Sequence, residues 1–417
     1  MVNPRDLSEN QSGQVEQQDR QDQRELLLEG RHYVTGEAIR VRLVDGVIQQ
    51  IESLSEDAEG SIAADPDSAK LNWIGPGLVD LQVNGHGGFD LNTHPLSVQQ
   101  VTDLTAALWQ EGVTAYLPTI ITHDSDNIEL AVRIIAEACH QDERTANSIA
   151  GIHLEGPFIS PEDGARGAHD LAYVKAPDWD LVQRWQEAAE GRITLLTMSP
   201  EWPDAPAFIA RCVEHGIVVS IGHTAATSEQ IAAAVAAGAT MSTHLGNGAH
   251  LMLPRHPNYI WEQLAQENLW SCVIADGFHV PSSFLQVARK VKQGKFLLVS
   301  DAVLYSGMSP GVYNNPVMGT VVLEPDGRLH LQRDERLLAG SAQMLTHGIA
   351  HLVKQRICTL AEAWDASSIG PSEAMGLTAQ AGLAVGAPAD LVVFKQGEDE
   401  KLQILETYKR GCKVYGQ

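Results

Sequence analysis

Basic residues are scarce in this 417-residue chain: 29 lysines and arginines face 53 aspartates and glutamates, a formal net charge of −24. Nucleic-acid binding needs a basic footprint, so a nucleic-acid partner is not expected. A small anionic ligand is also repelled at long range, and a site for one must gather its own cations and N–H donors. Cysteine is equally sparse. Cys139, Cys212, Cys272, Cys358 and Cys412 are odd in number and never in C-x-x-C spacing, which argues for reduced thiols and against a disulfide framework or zinc knuckle. No apolar run approaches the roughly 18 residues of a membrane span. The opening segment, MVNPRDLSENQSGQVEQQDRQDQRE, has no apolar signal-peptide core, so the expectation is a cytoplasmic protein without a membrane partner.

Residues 1–24 are polar throughout, rich in Gln, Glu, Asp, Asn and Ser. They cannot bury enough surface to offset their ordering entropy, which predicts a disordered tail. From Glu25 the pattern changes to short strand-like runs, ELLLEGRHYV, AIRVRLVDG and VIQQIESL, broken by Gly and Asp-Gly turn signals. A matching set, GAPADLVVFKQ, LQILETYKRG and CKVYGQ, returns at the C-terminus. The two sets predict a small β-sandwich domain built from both chain ends, residues 25–70 and 378–417.

Residues 71–377 alternate apolar runs with amphipathic stretches. The runs are LVDLQVNG, TAYLPTIIT, IAGIHLEG, ITLLTMSP, IVVSIGHT, TMSTHLGN, WSCVIADG and FLLVSDAV. Stretches such as VQQVTDLTAALWQEG, NIELAVRIIAEACH, SEQIAAAVAAG and SFLQVARKVKQG carry apolar residues at helical spacing between them. A doubly wound open sheet alternates in the same way. Eight runs, with polar residues closing runs from both halves, favour an α/β fold of the closed (β/α)8 TIM-barrel type.

Four of those closing residues carry chemistry: Glu155, His223, His244 and Asp301. One carboxylate and two imidazoles suit a zinc-like divalent ion and leave a coordination position open for water. Taken singly, a histidine at a strand end is more often hydrogen-bonded in a loop. A ring of such groups at one barrel mouth, however, needs a cation or a mutual network to be tolerated. Asp301 is followed by AVLYSGMSPG, which reads as loop, so an N-capping role is disfavoured. Its expected part is general base toward an activated water and then general acid toward a leaving amine. GHGG at 85–88 lacks the Lys-Ser/Thr of a nucleotide-binding loop and reads as a tight turn.

The segments GPGLVDLQVNGHGG (75–88), GIHLEGPF (151–158), Arg-Gly-Ala-His (166–169), IGHTAA (221–226), STHLGN (242–247), ADGFH (275–279), LVSDAV (298–303), LAGSA (338–342) and GLAVGAPADLVVF (382–394) resemble the amidohydrolase superfamily. Within it they resemble the deacetylases of N-acetylglucosamine 6-phosphate. The resemblance runs from about residue 25 to the C-terminus. GIHLEGP followed by GHT and THL is its specific part, whereas the last segment is shared by many amidohydrolases.

This resemblance implies that Glu155, His223 and His244 hold one divalent metal ion per chain and that Asp301 is the acid/base. Zinc is the ion expected, and iron, manganese and cobalt suit the same ligands. It further implies that His169 contacts the sugar or its acetamide carbonyl. Asn247, Gly248, His279 and a basic residue, for which Arg255 is the candidate, would meet the phosphate. The implied reaction is hydrolysis of the N-acetyl group of a phosphorylated amino sugar in amino-sugar metabolism, by a homodimer in which a neighbour's loop completes the phosphate site.

Two departures stand out. Many superfamily members carry His-x-His after the first strand, ligating a second metal. This chain reads Gln82-Val83-Asn84, which implies a single metal, with Gln82 either hydrogen-bonding the catalytic water or filling the barrel mouth. In GNGAHLMLPRHPNY, Gly248 stands where relatives carry Ala, and His250, Arg255 and His256 compete for the phosphate. Three other readings stay open: a deacetylase of the galacto epimer, a cyclic-amide hydrolase, and a non-catalytic sugar-phosphate-binding barrel. The cyclic-amide enzymes usually bring a carboxylated lysine on the fourth strand, where this chain has Thr197-Met198-Ser199-Pro200.

Overall fold

A computed structural model of the chain describes residues 25–54, 71–315 and 319–416. The expected disordered tail, 1–24, lies outside the described residues. Each of the eight apolar runs is a strand: β1 (Leu78–Val83), β2 (Val113–Ile121), β3 (Ile152–Glu155), β4 (Ile193–Met198), β5 (Val218–Ile221), β6 (Met241–Ser242), β7 (Trp270–Val273) and β8 (Phe296–Leu298). They pair in parallel in sequence order. A parallel bridge from Val83 to Ala302 closes the circle. Val79, Leu81, Ala115, Leu117, Leu195, Met241, Leu297 and Val299 pack together inside it, so the barrel is a filled core with its chemistry confined to the mouth.

Helices cover the outside where the periodicity placed them, as at Val98–Gln110, Ser125–Gln141, Ser228–Ala236 and Ser282–Lys292. Their starts are fixed locally. Ser97 with Gln100, and Thr227 with Gln230, form capping boxes, and Asp124 caps the second helix; each such cap is worth about 1 kcal/mol. Among the described residues no helix is long and apolar enough to cross a membrane.

Strands from both chain ends form one seven-stranded sheet, with Trp73–Pro76 pairing to Glu25–His32 on one side and Leu391–Gln396 on the other. Its inner face encloses Val41, Leu43, Ile48, Ile74, Leu391 and Tyr408. The edge strand Val47–Ser53 is tied back to residues 386–388 through Ile48. Trp364 joins this unit to the barrel: its ring stacks on Phe394 at 4.2 Å and its Nε1 donates to the Pro76 carbonyl at 2.9 Å.

A four-stranded antiparallel sheet over Gly311–Asn315, Gly319–Leu323, Leu329–Leu331 and Asp334–Leu338 follows β8. The sequence reading did not pick it out. Its strands are three to five residues long, and they acquire a core only when Val321, Leu323, Leu329 and Leu331 meet Tyr305 from the preceding loop.

Candidate active site

The mouth residues begin with the backbone. His223, His244 and Asp301 have φ of 48°, 27° and 48°. For residues with a Cβ this left-handed geometry costs of order 1–2 kcal/mol each. In each case the turn comes just past the end of a strand. Three such turns at one barrel end mark where the fold accepts strain to aim side chains.

Glu155, the last residue of β3, is the hub. Its Oε1 lies 2.9 Å from His244 Nε2, 3.2 Å from His223 Nε2 and 2.9 Å from Gln82 Nε2. The two histidine Nε2 atoms are 3.0 Å apart. All three ligand-type residues are buried, and their donor atoms lie within 4.8 Å of one another. On its far side the His223 ring meets the Ala165 carbonyl, with Nδ1 at 3.1 Å. A carbonyl only accepts, so Nδ1 carries the hydrogen and Nε2 turns a lone pair toward a carboxylate oxygen and a second imidazole nitrogen. Electron-rich atoms converge here in a water-poor setting, and a divalent cation is the partner that satisfies them.

The titration of these groups agrees. Burial alone would raise Glu155, but its two neighbours His223 and His244 hold it well below the usual carboxylate range. Burial, then the charge of Glu155, pushes Asp301 up to about 7, although His244, His279 and the Asn84 hydrogen bond act the other way. A cation held by Glu155, His223 and His244 would offset that repulsion. Asn84 donates to Asp301 Oδ1 at 2.8 Å. His169 sits beside the cluster, with Nε2 at 3.3 Å from His223 Nε2 and Nδ1 at 2.9 Å from Thr122 Oγ1. Burial, reinforced by His223, lowers its pKa to about 3, so its ring is neutral.

The structure therefore gathers Gln82, Glu155, His169, His223 and His244 in one network, with Asp301 in electrostatic reach. Gln82 occupies itself with Glu155. Asn247 donates to the His244 carbonyl at 3.2 Å. Gly248 has a φ of 55°, and a Cβ there would stand 2.6 Å from His223 Nδ1; the glycine leaves room for the His223 ring itself. His279 is held by Asp276, Nδ1 to Oδ2 at 2.6 Å.

The loop after β6 does not gather its expected phosphate partners. Arg255 and His256 are exposed, and among the described residues neither makes a hydrogen bond or ion pair. His250 is committed elsewhere: its backbone N–H and Nδ1 meet the Tyr259 hydroxyl at 2.8 and 3.0 Å, and its Nε2 meets Glu162 Oε2 at 3.1 Å. Sequence reasoning missed Thr122, the Ala165 carbonyl and Asp276. Thr122 closes an apolar run and was open to the strand-end argument; a backbone carbonyl leaves no residue-type signal.

A barrel hydrolase with a metal site at its C-terminal mouth is the class that this fold and geometry define. The chain belongs to the amidohydrolase family, whose model matches residues 73–416, and is a metal-dependent member of it. It is similar to the N-acetylglucosamine-6-phosphate deacetylase of Bacillus subtilis (strain 168), 31% identical over 359 residues, 85% of this chain and 88% of that protein. The crystal structure of N-acetylglucosamine-6-phosphate deacetylase from Pasteurella multocida matches with a TM-score of 0.79 at 26% identity, covering 93% of this chain and 99% of that one. An aspartate-to-alanine mutant of the Mycobacterium smegmatis deacetylase, in complex with N-acetyl-D-glucosamine 6-phosphate, matches with a TM-score of 0.78 at 26% identity, covering 94% and 99%.

Proposed function

We propose that this protein hydrolyses the acetamide of N-acetylglucosamine 6-phosphate to acetate and glucosamine 6-phosphate. The observation that carries the reading is the convergence of Glu155, His223 and His244 at the mouth where Asp301 also faces. The named relatives supply the substrate class. Glu155, His223 and His244 would hold one divalent ion, zinc first among those this donor set suits. Such an ion supplies Lewis acidity toward a carbonyl and lowers the pKa of water.

The chain's own groups do the rest. Asp301, its Oδ1 steadied by Asn84, takes the proton from the attacking water and returns it to the departing amine nitrogen. Neutral His169, on the rim beside the ligands, is placed to hydrogen-bond the sugar or its acetyl carbonyl. Gln82 holds Glu155 in position as a ligand. Asn247 and the Gly248 N–H would meet the phosphate, with Arg255 and His279 as its further partners and His250 removed from that role by its bonds to Tyr259 and Glu162. A homodimer in which a neighbour's loop completes the phosphate site is part of this reading, and Leu251 and Met252, 89% and 88% exposed on the loop that carries Arg255, are the apolar tips such a contact would cover.

The test is acetate release from N-acetylglucosamine 6-phosphate beside the unphosphorylated sugar, on protein of counted metal content. Turnover confined to the phosphorylated sugar with about one metal per chain is the expected result. No turnover of either sugar by metal-loaded protein would overturn the substrate, and two metals per chain would favour the cyclic-amide reading.

A further inference from the structure

The barrel is closed unevenly between its first and last strands. At the bottom β1 and β8 do not bond each other: Val79 N–H donates to the Ser367 carbonyl and Leu298 N–H to the Ala366 carbonyl, each at 2.8 Å, so a returning segment is wedged between them. At the top the two strands meet through the backbone, Asp301 N–H to Gln82 O at 3.0 Å and Asn84 N–H to Ala302 O at 2.9 Å. Between these levels stands Asp80, which is fully buried. Its Oδ1 accepts the N–H of Gln82 at 3.2 Å on its own strand and the N–H of Ser300 at 3.1 Å across the seam. The pairing of β1 with β2 is irregular between Asp80 and Val83, so the carboxylate stands where the regular ladder lapses. Its Oδ2 has no hydrogen-bond partner among the described residues.

We infer that Asp80 is a positioning residue: its Oδ1 serves as a ladder rung between the first and last strands and thereby sets the places of Gln82 and Asp301. The inference rests on the proposed acid/base role of Asp301. The two N–H groups it satisfies belong to Gln82, whose side chain holds Glu155, and to Ser300, the residue before Asp301. Without an acceptor at this point both N–H groups are buried and unpaired, and the cheapest relief is for the two strand ends to part. Parting there displaces the proton-transfer group. Glu155, His223 and His244 stand on other strands and keep their contacts with one another, so the cluster loses at most the Gln82 bond to Glu155 and metal retention should change far less than kcat. A neutral amide offers the same acceptor oxygen, and its nitrogen replaces the oxygen that has no partner.

The experiment compares wild type, Asp80→Asn and Asp80→Ala, with Asp80→Ser replacing alanine if the latter yields no folded protein. It reads metal content, kcat and KM on N-acetylglucosamine 6-phosphate, and hydrogen exchange at the Asp301 and Thr243 amides; the latter donates to Ile221 O at 2.9 Å, away from the seam. Removing the rung should lower kcat about tenfold or more with little change in KM or metal content. Exchange at Asp301 should quicken by a similar factor while Thr243 is unchanged, and Asp80→Asn should restore both. Wild-type kcat and Asp301 protection in the alanine variant would overturn the inference. So would equal loss of protection at Thr243, which means general destabilisation, or an asparagine variant as impaired as alanine, which means that charge and not the acceptor is required. If wild type turns over no acetylated amino sugar, the substrate reading fails, while the exchange arm still decides the role of Asp80.

Discussion

The Nδ1–H of His223 donates to the carbonyl oxygen of Ala165 at 3.1 Å. This contact, from a loop after β3 to a residue after β5, decides which nitrogen of the ring faces Glu155. The ring is also confined sterically, because a Cβ on Gly248 would fall 2.6 Å from the same Nδ1 and one on Gly167 would fall 3.1 Å from Cε1.

Gly248→Ala therefore should disturb the metal site before it disturbs the phosphate loop. The new methyl group presses on His223 and the backbone leaves a φ of 55° that alanine resists. Metal affinity should fall about tenfold to a hundredfold, measured by competition with a chromophoric chelator. An unchanged affinity would refute this account of the glycine.

Asp301→Asn keeps the shape beside Asn84 and removes the group that accepts a proton. Turnover should fall about a thousandfold, within the usual range for losing general acid/base catalysis. Metal content should stay at the wild-type value. Retention of most of the rate would assign proton transfer to another residue.

Metal removal should lower stability as well as activity, because three buried groups are left facing one another. A ligand present at a thousandfold its Kd contributes about 4 kcal/mol. Thermal unfolding with and without chelator, with metal restored as the control, measures the difference. Equal melting temperatures would mean that the Glu155, His223 and His244 cluster is satisfied by its own hydrogen bonds.

Acid should destabilise the fold partly through His86. Its side chain is 7% exposed, bonded to Ser306 Oγ at 3.0 Å, with Glu111 Oε1 3.9 Å away. Burial lowers its pKa from 6.5 to about 4. The folded pKa lies below the unfolded one, so between these values the unfolded chain binds a proton that the folded chain refuses. Stability is fully present above pH 6.5 and is lost as pH falls toward 4, by up to about 3 kcal/mol from this group. Unfolding free energies measured across that window should fall less steeply for His86→Gln; parallel slopes would exclude the histidine.

All eight barrel strands were legible in the sequence because a buried parallel strand needs a run of apolar residues, which is a local property. Glu155, His223, His244 and Asp301 were legible for the same reason: each polar residue interrupts or closes such a run. The four-stranded sheet after β8 was not, since its short strands gain a core only by meeting Tyr305. The sequence offers Gly248 for a backbone approach to phosphate and leaves His250, Arg255 and His256 as competing partners; it gives no sign that a Cβ at Gly248 would crowd the His223 ring or that His250 bonds Tyr259 and Glu162.

The sequence by itself determined the order of strands and helices, the residue types at each strand end and, through them, the metal-dependent hydrolase class. The tertiary structure alone decided the tautomer of His223, the seam closed by Asp80 and the attachment of Gln82 to Glu155. Periodicity and residue type report what a segment must bury. A hydrogen bond to a backbone carbonyl or across a barrel seam depends on where distant segments come to rest, and no single residue type announces it.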